Sequence, residues 1–173
     1  SGHGMGTALT ERIAQEADFA RVTLDGEVAY LARLPQVRLG PAVVSLPPGV
    51  FLQATPQAEH AMAALVAAEV AGATRVADLY CGVGTFTFRL AQIAQVHAAD
   101  FAPDAIRALS GALAAAPGLH GVTAEARDLV RRPMLAEELK KTDVAVFDPP
   151  RAGAAEQTAE LARSSVARVI GVS

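Results

Sequence analysis

Cysteine is nearly absent from this sequence: Cys81 is the only one in 173 residues. A disulfide framework and a cysteine-rich metal site are both excluded within the chain. The histidines, His3, His60, His97 and His120, show no ligand spacing, so no metal is expected. No apolar run approaches the ~20 residues that a membrane-spanning helix needs. No basic, apolar, cleavable segment opens the chain, and a cytoplasmic location with no membrane partner is the expectation. A basic excess is also lacking, since the formal net charge is −3. That is a poor footprint for a surface that grips phosphates.

What is present is a chain of one-domain length, 51% hydrophobic and rich in alanine, which suits small-residue helices packed on a sheet. Residues 10–20 read as a weakly patterned helix. Asp25-Gly26 reads as a hairpin turn between Val22-Thr23-Leu24 and Val28-Ala29-Tyr30. Strands and turns continue through Ala42-Val43-Val44-Ser45-Leu46. After Gln53 the texture changes. Thr55 is placed as an N-cap and Pro56 at the first helical position, with Met62, Leu65, Val66 and Val70 at helical spacing and Gly72 as the stop. Strands are then predicted at 76–80, 96–99, 122–126, 144–147 and 169–172. Helices are predicted at 86–94, 103–114, 134–140 and 154–162. Alternating strands and helices define an α/β fold with a mostly parallel sheet covered on both faces, preceded by a short β-rich segment. The boundary is expected at residue 49, with 1–49 as the β-rich segment and 50–173 as the α/β domain.

Sheets of this kind hold ligands at the carboxyl ends of their strands. The first such end reads Asp78-Leu79-Tyr80-Cys81-Gly82-Val83-Gly84-Thr85-Phe86. An acidic residue, three residues and then Gly-x-Gly allow backbone to approach a ligand beside a helix N-terminus. A dinucleotide fingerprint would place a third glycine at position 87, where this chain has threonine. Asp100 closes the second strand, where a carboxylate can accept hydrogen bonds from ribose hydroxyls, or else cap the helix that follows. Asp128 follows the third strand and is placed to meet an adenine amine. The fourth strand ends in Phe147-Asp148-Pro149-Pro150-Arg151. Its two prolines stiffen the backbone and hold Asp148 at the mouth of the site.

D-L-Y-C-G-V-G-T-F followed by F-D-P-P-R-A-G resembles the RNA uracil-C5 methyltransferases that modify ribosomal and transfer RNA. The upstream F-L-Q-A-T-P-Q-A-E is similar to the segment that leads into their catalytic domain. The resemblance covers about residues 50 to 173 and implies a Rossmann-like class I methyltransferase fold with S-adenosylmethionine as cofactor. It implies cofactor contacts at Gln53, Tyr80, Thr85, Asp100, Asp128 and Asp148, beside the loop glycines Gly82 and Gly84. Thr85 is often Asn in that family and Asp100 is usually Glu. The helix after the second strand, usually Asn-rich, is Ala-rich here from Ala108 to Pro117.

The resemblance also implies a catalytic cysteine in a Ser-Cys-Asn-Pro motif after the fifth strand. Ser173 matches its first residue, so the nucleophile is expected at the next position and the general base further on. No catalytic residue is expected within the chain, which reads as a C-terminally truncated domain. Uracil C5 needs activation: a thiolate adds to C6, C5 attacks the methyl group, and a base removes the C5 proton. Cys81 lies in the cofactor loop and is assigned a packing role. RNA is the expected substrate of the whole enzyme, and the fragment alone is expected to be inactive, with little hold on RNA. Two alternatives stay open. One is an amino-group methyltransferase, although Arg151 stands where such enzymes carry an aromatic residue. The other is a non-catalytic cofactor-binding module.

Overall fold

The computed structural model describes residues 2–50, 52, 55–150 and 154–172. A helix, α1 (Gly2–Glu16), leads into two antiparallel hairpins. These are β1 (Arg21–Leu24) with β2 (Glu27–Leu31), and β3 (Gln36–Leu39) with β4 (Ala42–Ser45). Asp25 and Gly26 make the first turn, both at positive φ (50° and 86°). Gly40, at φ 57°, starts the two-residue turn of the second, where Leu39 pairs with Ala42. Helix α1 begins well before residue 10 and ends before Asp18, which adopts φ 52° and breaks the helical path. Strand β3 had no counterpart in the sequence reading, because its alternation of exposed and buried residues spans only four positions.

Helix α2 (Pro56–Val70) starts as expected: Thr55 caps it by accepting from the Ala58 N–H, and Pro56 occupies the first turn. Ala63, Val66 and Val70 form its buried face, whereas Leu65 is exposed. Then come β5 (Arg75–Leu79), α3 (Thr87–Leu90), β6 (Gln95–Asp100), α4 (Pro103–Leu113), β7 (Val122–Ala126), β8 (Val144–Phe147), α5 (Ala155–Arg163) and β9 (Arg168–Gly171). The last five strands form one parallel sheet in the order β7-β6-β5-β8-β9. The chain steps outward from β5 to β6 and β7, then returns to the other side of β5 for β8. The topological switch point therefore lies between the carboxyl ends of β5 and β8, the place where such sheets leave a crevice for ligands.

Two predicted helices are corrected. The one expected over 86–94 is the single turn α3, after which the Gln92 and Ile93 N–H groups bond three residues back, to the Arg89 and Leu90 carbonyls, and the chain winds on through turns into β6. The stretch 134–140 forms turns. Its amides are captured by side chains: Met134 N–H by Gln157, Leu135 N–H by Glu138 and Ala136 N–H by Glu160.

Side chains alternate across the sheet, as period-two strands require. Val76, Val96, Ala98, Val144 and Val146 face one buried cluster, which also holds residues of α2, α3 and α4 together with Leu39, Ala42 and Val44 of the second hairpin. Ala77, Leu79, Ala99 and Ala145 face the other, with Leu129, Met134, Leu139 and Leu161. The second hairpin thus shares its core with the parallel sheet. Among the described residues no helix is long and apolar enough to cross a membrane.

Candidate cofactor site at the carboxyl edge of the sheet

All four carboxylates singled out in the loops lie along one edge of the sheet. Asp78 is the penultimate residue of β5, Asp100 ends β6, Asp128 lies just past β7 and Asp148 directly follows β8. In strand order they run Asp128, Asp100, Asp78, Asp148.

The loop after β5 is shaped by backbone. Tyr80, Gly82 and Gly84 all adopt positive φ, 64°, 55° and 95°. Glycine takes that conformation freely, whereas tyrosine takes it at a cost, so Tyr80 is held there by its surroundings. The Tyr80 and Cys81 N–H groups both donate to the Ala99 carbonyl, at 2.8 and 3.2 Å, and Gly84 N–H donates to the Cys81 carbonyl at 2.9 Å. Gly82 N–H donates to Asp100 Oδ2 at 2.9 Å, and Asp100 Oδ1 accepts from Ala102 N–H at 2.8 Å. Asp100 therefore ties the glycine loop to the turn that precedes α4, whose own N-cap, Ala102, carries no side-chain cap. It steadies the turn into α4, and each oxygen keeps a second lone pair for a ligand hydroxyl.

The two glycines differ. Nothing lies within 4 Å of where a Gly82 Cβ would stand. A Gly84 Cβ would come within 2.7 Å of the Phe88 ring and 3.1 Å of Leu109. Gly82 leaves room at the loop surface, while Gly84 is small so that α3 and α4 can close on the loop.

Beneath the loop, Asp78 is fully buried and faces α3, where Thr87 Oγ1 donates to its Oδ2 at 2.5 Å. Burial, with Asp148 and Asp100 adding negative charge nearby, outweighs the Thr87 bond and pushes the Asp78 carboxyl up to about 7. Thr87 occupies the position of a dinucleotide motif's third glycine and uses its hydroxyl there, so the threonine is structural. Neither Thr87 nor the depth of Asp78 was foreseen from sequence. The signal lay in that substituted position.

Across the switch point, the Tyr80 ring meets Phe147 edge to face at 5.7 Å, and Asp148 N–H donates to the Leu79 carbonyl at 3.3 Å. Asp148 is half-buried, and burial raises its carboxyl above the usual range. Asp128 Oδ1 accepts from Val130 and Arg131 N–H, both at 3.1 Å, which closes a tight turn after β7. That turn is anchored from α5. The buried Gln157 side chain accepts from Met134 N–H at 2.7 Å and donates to the Met134 carbonyl at 3.1 Å, a pairing that sequence reasoning missed. Thr85 lies in the loop, partly buried. Gln53 and Arg151 fall outside the described residues, as does Ser173.

Cys81 is buried, and burial first, then the charges of Asp78 and Asp100, pushes its thiol well above the ordinary value. A thiolate is the nucleophilic form, so this cysteine is inert. Among the described residues no group of three or more His, Cys, Asp or Glu is arranged to hold a metal. Two buried polar atoms lack a hydrogen-bond partner among the described residues, Asp78 Oδ1 and Tyr80 OH, and both belong to the residues that flank the turn off β5.

Sheet order, switch point, glycine loop and carboxylate row together define a Rossmann-like fold of the class I methyltransferase type. Among solved structures, the Pyrococcus abyssi tRNA (uracil-54, C5)-methyltransferase, in complex with S-adenosyl-L-homocysteine, superposes with a TM-score of 0.68 at 22% identity, over 87% of this chain and 38% of that one. The sequence is homologous to proteins named as RNA methyltransferases. It is 68% identical over 160 residues to an uncharacterized RNA methyltransferase of Caulobacter vibrioides, covering 92% of this chain and 39% of the relative. It is 33% identical over 155 residues to the 23S rRNA (uracil(1939)-C(5))-methyltransferase of Shewanella amazonensis, covering 86% of this chain and 35% of the relative. The chain thus spans well under half the length of these relatives. No family profile matches it.

Proposed function

We propose that this chain is the S-adenosylmethionine-binding part of an RNA methyltransferase that acts on C5 of uracil. The observation that carries the reading is the row of carboxylates at the switch point, with Gly82 bonded to Asp100 beside an open loop surface. The cofactor's chemistry fits what is there. Its ribose diol suits the free lone pairs of Asp100 and its adenine amine suits an acceptor at Asp128. Its cationic methionyl end suits the acidic side chains Asp100 and Asp148 at the edge of the sheet. The unpartnered Tyr80 hydroxyl adds a further polar group at the same loop. When bound, the cofactor supplies an electrophilic methyl group on sulfur. The chain's own contribution is to hold it, orient it and back the site with an apolar floor of Leu79, Ala99 and Ala145.

Uracil as the substrate class rests on the D-P-P-R and D-L-Y-C-G-V-G motifs and on the relatives' names. Gln53, ahead of α2, and Thr85 are assigned to the same cofactor, and 50–173 to the domain that binds it, in a cytoplasmic enzyme. The nucleophile lies outside these residues: Cys81 is buried under the loop and protonated. RNA contact is assigned chiefly to other parts of the parent protein, since the exposed basic pairs Arg131-Arg132 and Lys140-Lys141 accompany a net charge of −3.

The test is transfer of labelled methyl to unmodified RNA by the parent protein, followed by nucleoside mass spectrometry. 5-Methyluridine is the expected product. Methyl on an exocyclic amine would replace this reading with the amino-group alternative. The 173-residue chain alone should transfer nothing, and Cys81→Ser should leave cofactor binding intact.

A further inference from the structure

The ion pair between Glu59 and Arg89 is largely buried, with side chains 13% and 14% exposed, and lies outside the carboxylate row. Arg89 Nη1 donates to Glu59 Oε1 at 2.5 Å and Nη2 to Oε2 at 3.1 Å, a two-pronged fork. The same Nη1 also donates to the Thr85 carbonyl at 3.2 Å. A third element rests on the arginine: a Cβ at Gly40, in the β3–β4 turn, would stand 3.0 Å from Arg89 Cγ. One arginine thus joins three elements: its guanidinium bonds the first turn of α2 and the end of the glycine loop, and its stem lies against the second hairpin.

The placement matters because Thr85 ends the glycine loop to which the cofactor is assigned, and its carbonyl is held by Arg89. Glu59 sits in the first turn of α2, six positions after Gln53, and Thr85 closes the glycine loop. We propose that Glu59 and Arg89 are positioning residues for cofactor binding, which hold the first turn of α2 against the end of the glycine loop at Thr85. This rests on the cofactor reading above. Neither residue touches the cofactor. Arg89 acts through the Thr85 carbonyl and Glu59 acts by aiming Arg89. Arginine is required because one planar fork must meet a carboxylate on two prongs and a carbonyl at once.

The experiment measures S-adenosyl-L-homocysteine affinity by calorimetry and melting temperature on the same samples of this chain. Exchanging the pair, Glu59→Arg with Arg89→Glu, keeps an attractive contact between α2 and α3 but leaves no donor for the Thr85 carbonyl. A second double variant, Glu59→Gln with Arg89→Met, keeps the stem on Gly40 and removes both charges. Both should melt near the parent and bind at least about tenfold more weakly, because small misplacements of a binding group are costly. Parent-like affinity in either double variant overturns the positioning role and leaves the cofactor reading standing. If the parent chain itself binds no S-adenosyl-L-homocysteine, the cofactor reading fails, and this inference with it.

Discussion

The backbone N–H of Gly82 donates to Oδ2 of Asp100 at 2.9 Å, which joins the loop after β5 to the end of β6. One side chain thereby sets the path of the glycine loop and faces the ligand crevice. Because Asp100 Oδ1 is also held, by Ala102, both oxygens of the carboxylate are fixed by backbone. Asp100→Asn can accept only one of these two amides, since its NH2 group must face the other. Hydrogen bonds to charged groups contribute roughly 1.5–3 kcal/mol, so the variant should melt lower and bind S-adenosyl-L-homocysteine at least about tenfold more weakly. Thermal melts and calorimetry on one preparation check both.

The two loop glycines should respond differently to alanine. At Gly84 a methyl group would meet the Phe88 ring at 2.7 Å in a residue held at φ 95°. Overpacking of about 1–3 kcal/mol adds there to backbone strain of about 1–2 kcal/mol. At Gly82 only the strain applies, because nothing stands within 4 Å. Gly84→Ala should lose stability by chemical denaturation, whereas Gly82→Ala should stay folded and lose cofactor affinity.

Much of this edge is legible in the sequence. The five strands of the parallel sheet are legible because short apolar runs end at turn residues, and four of the five bring an acidic residue to the same edge. Of the alternatives offered for Asp100, ribose acceptor or helix cap, the structure shows no side-chain cap on α4; both carboxylate oxygens instead accept from backbone N–H groups, of Gly82 and Ala102. What pattern could not show is side-chain capture of backbone. Nothing local marks Gln157 as the partner of Met134, 23 positions away. The Glu59–Arg89 pair is hidden for the same reason, since its members are 30 positions apart. Strand β3 was too short to show its period.

Gln157 yields a prediction of its own. Its amide satisfies both the N–H and the carbonyl of Met134 in a buried setting. Gln157→Leu leaves two buried backbone groups unpaired, at about 1–3 kcal/mol each. Gln157→Glu keeps the acceptor and sets a carboxylate against the Met134 carbonyl. Both should destabilise the chain, and amide exchange at Met134 and the turn after β7 should speed up most.

Asp78 makes stability depend on pH. Its carboxyl rises from 3.8 to about 7 on folding, so the folded chain holds a proton that the unfolded chain releases between those values. Stability is therefore greatest at low pH as far as this group is concerned, and declines as pH rises from about 4 to about 7. Asp78→Asn keeps an acceptor for Thr87 Oγ1 and removes the titration. The variant should gain stability over the parent as pH is raised from 5 to 8, read as a widening difference in melting temperature. A constant difference would show that Asp78 is ionised throughout.

The central claim is that the crevice between β5 and β8 takes S-adenosylmethionine and not a dinucleotide. Calorimetry of this chain against S-adenosyl-L-homocysteine and against NAD, with Asp100→Asn alongside, tests it most directly. S-adenosyl-L-homocysteine should bind one-to-one, more weakly in the variant, and NAD should give no heat. Binding of NAD, or of neither compound, would contradict it.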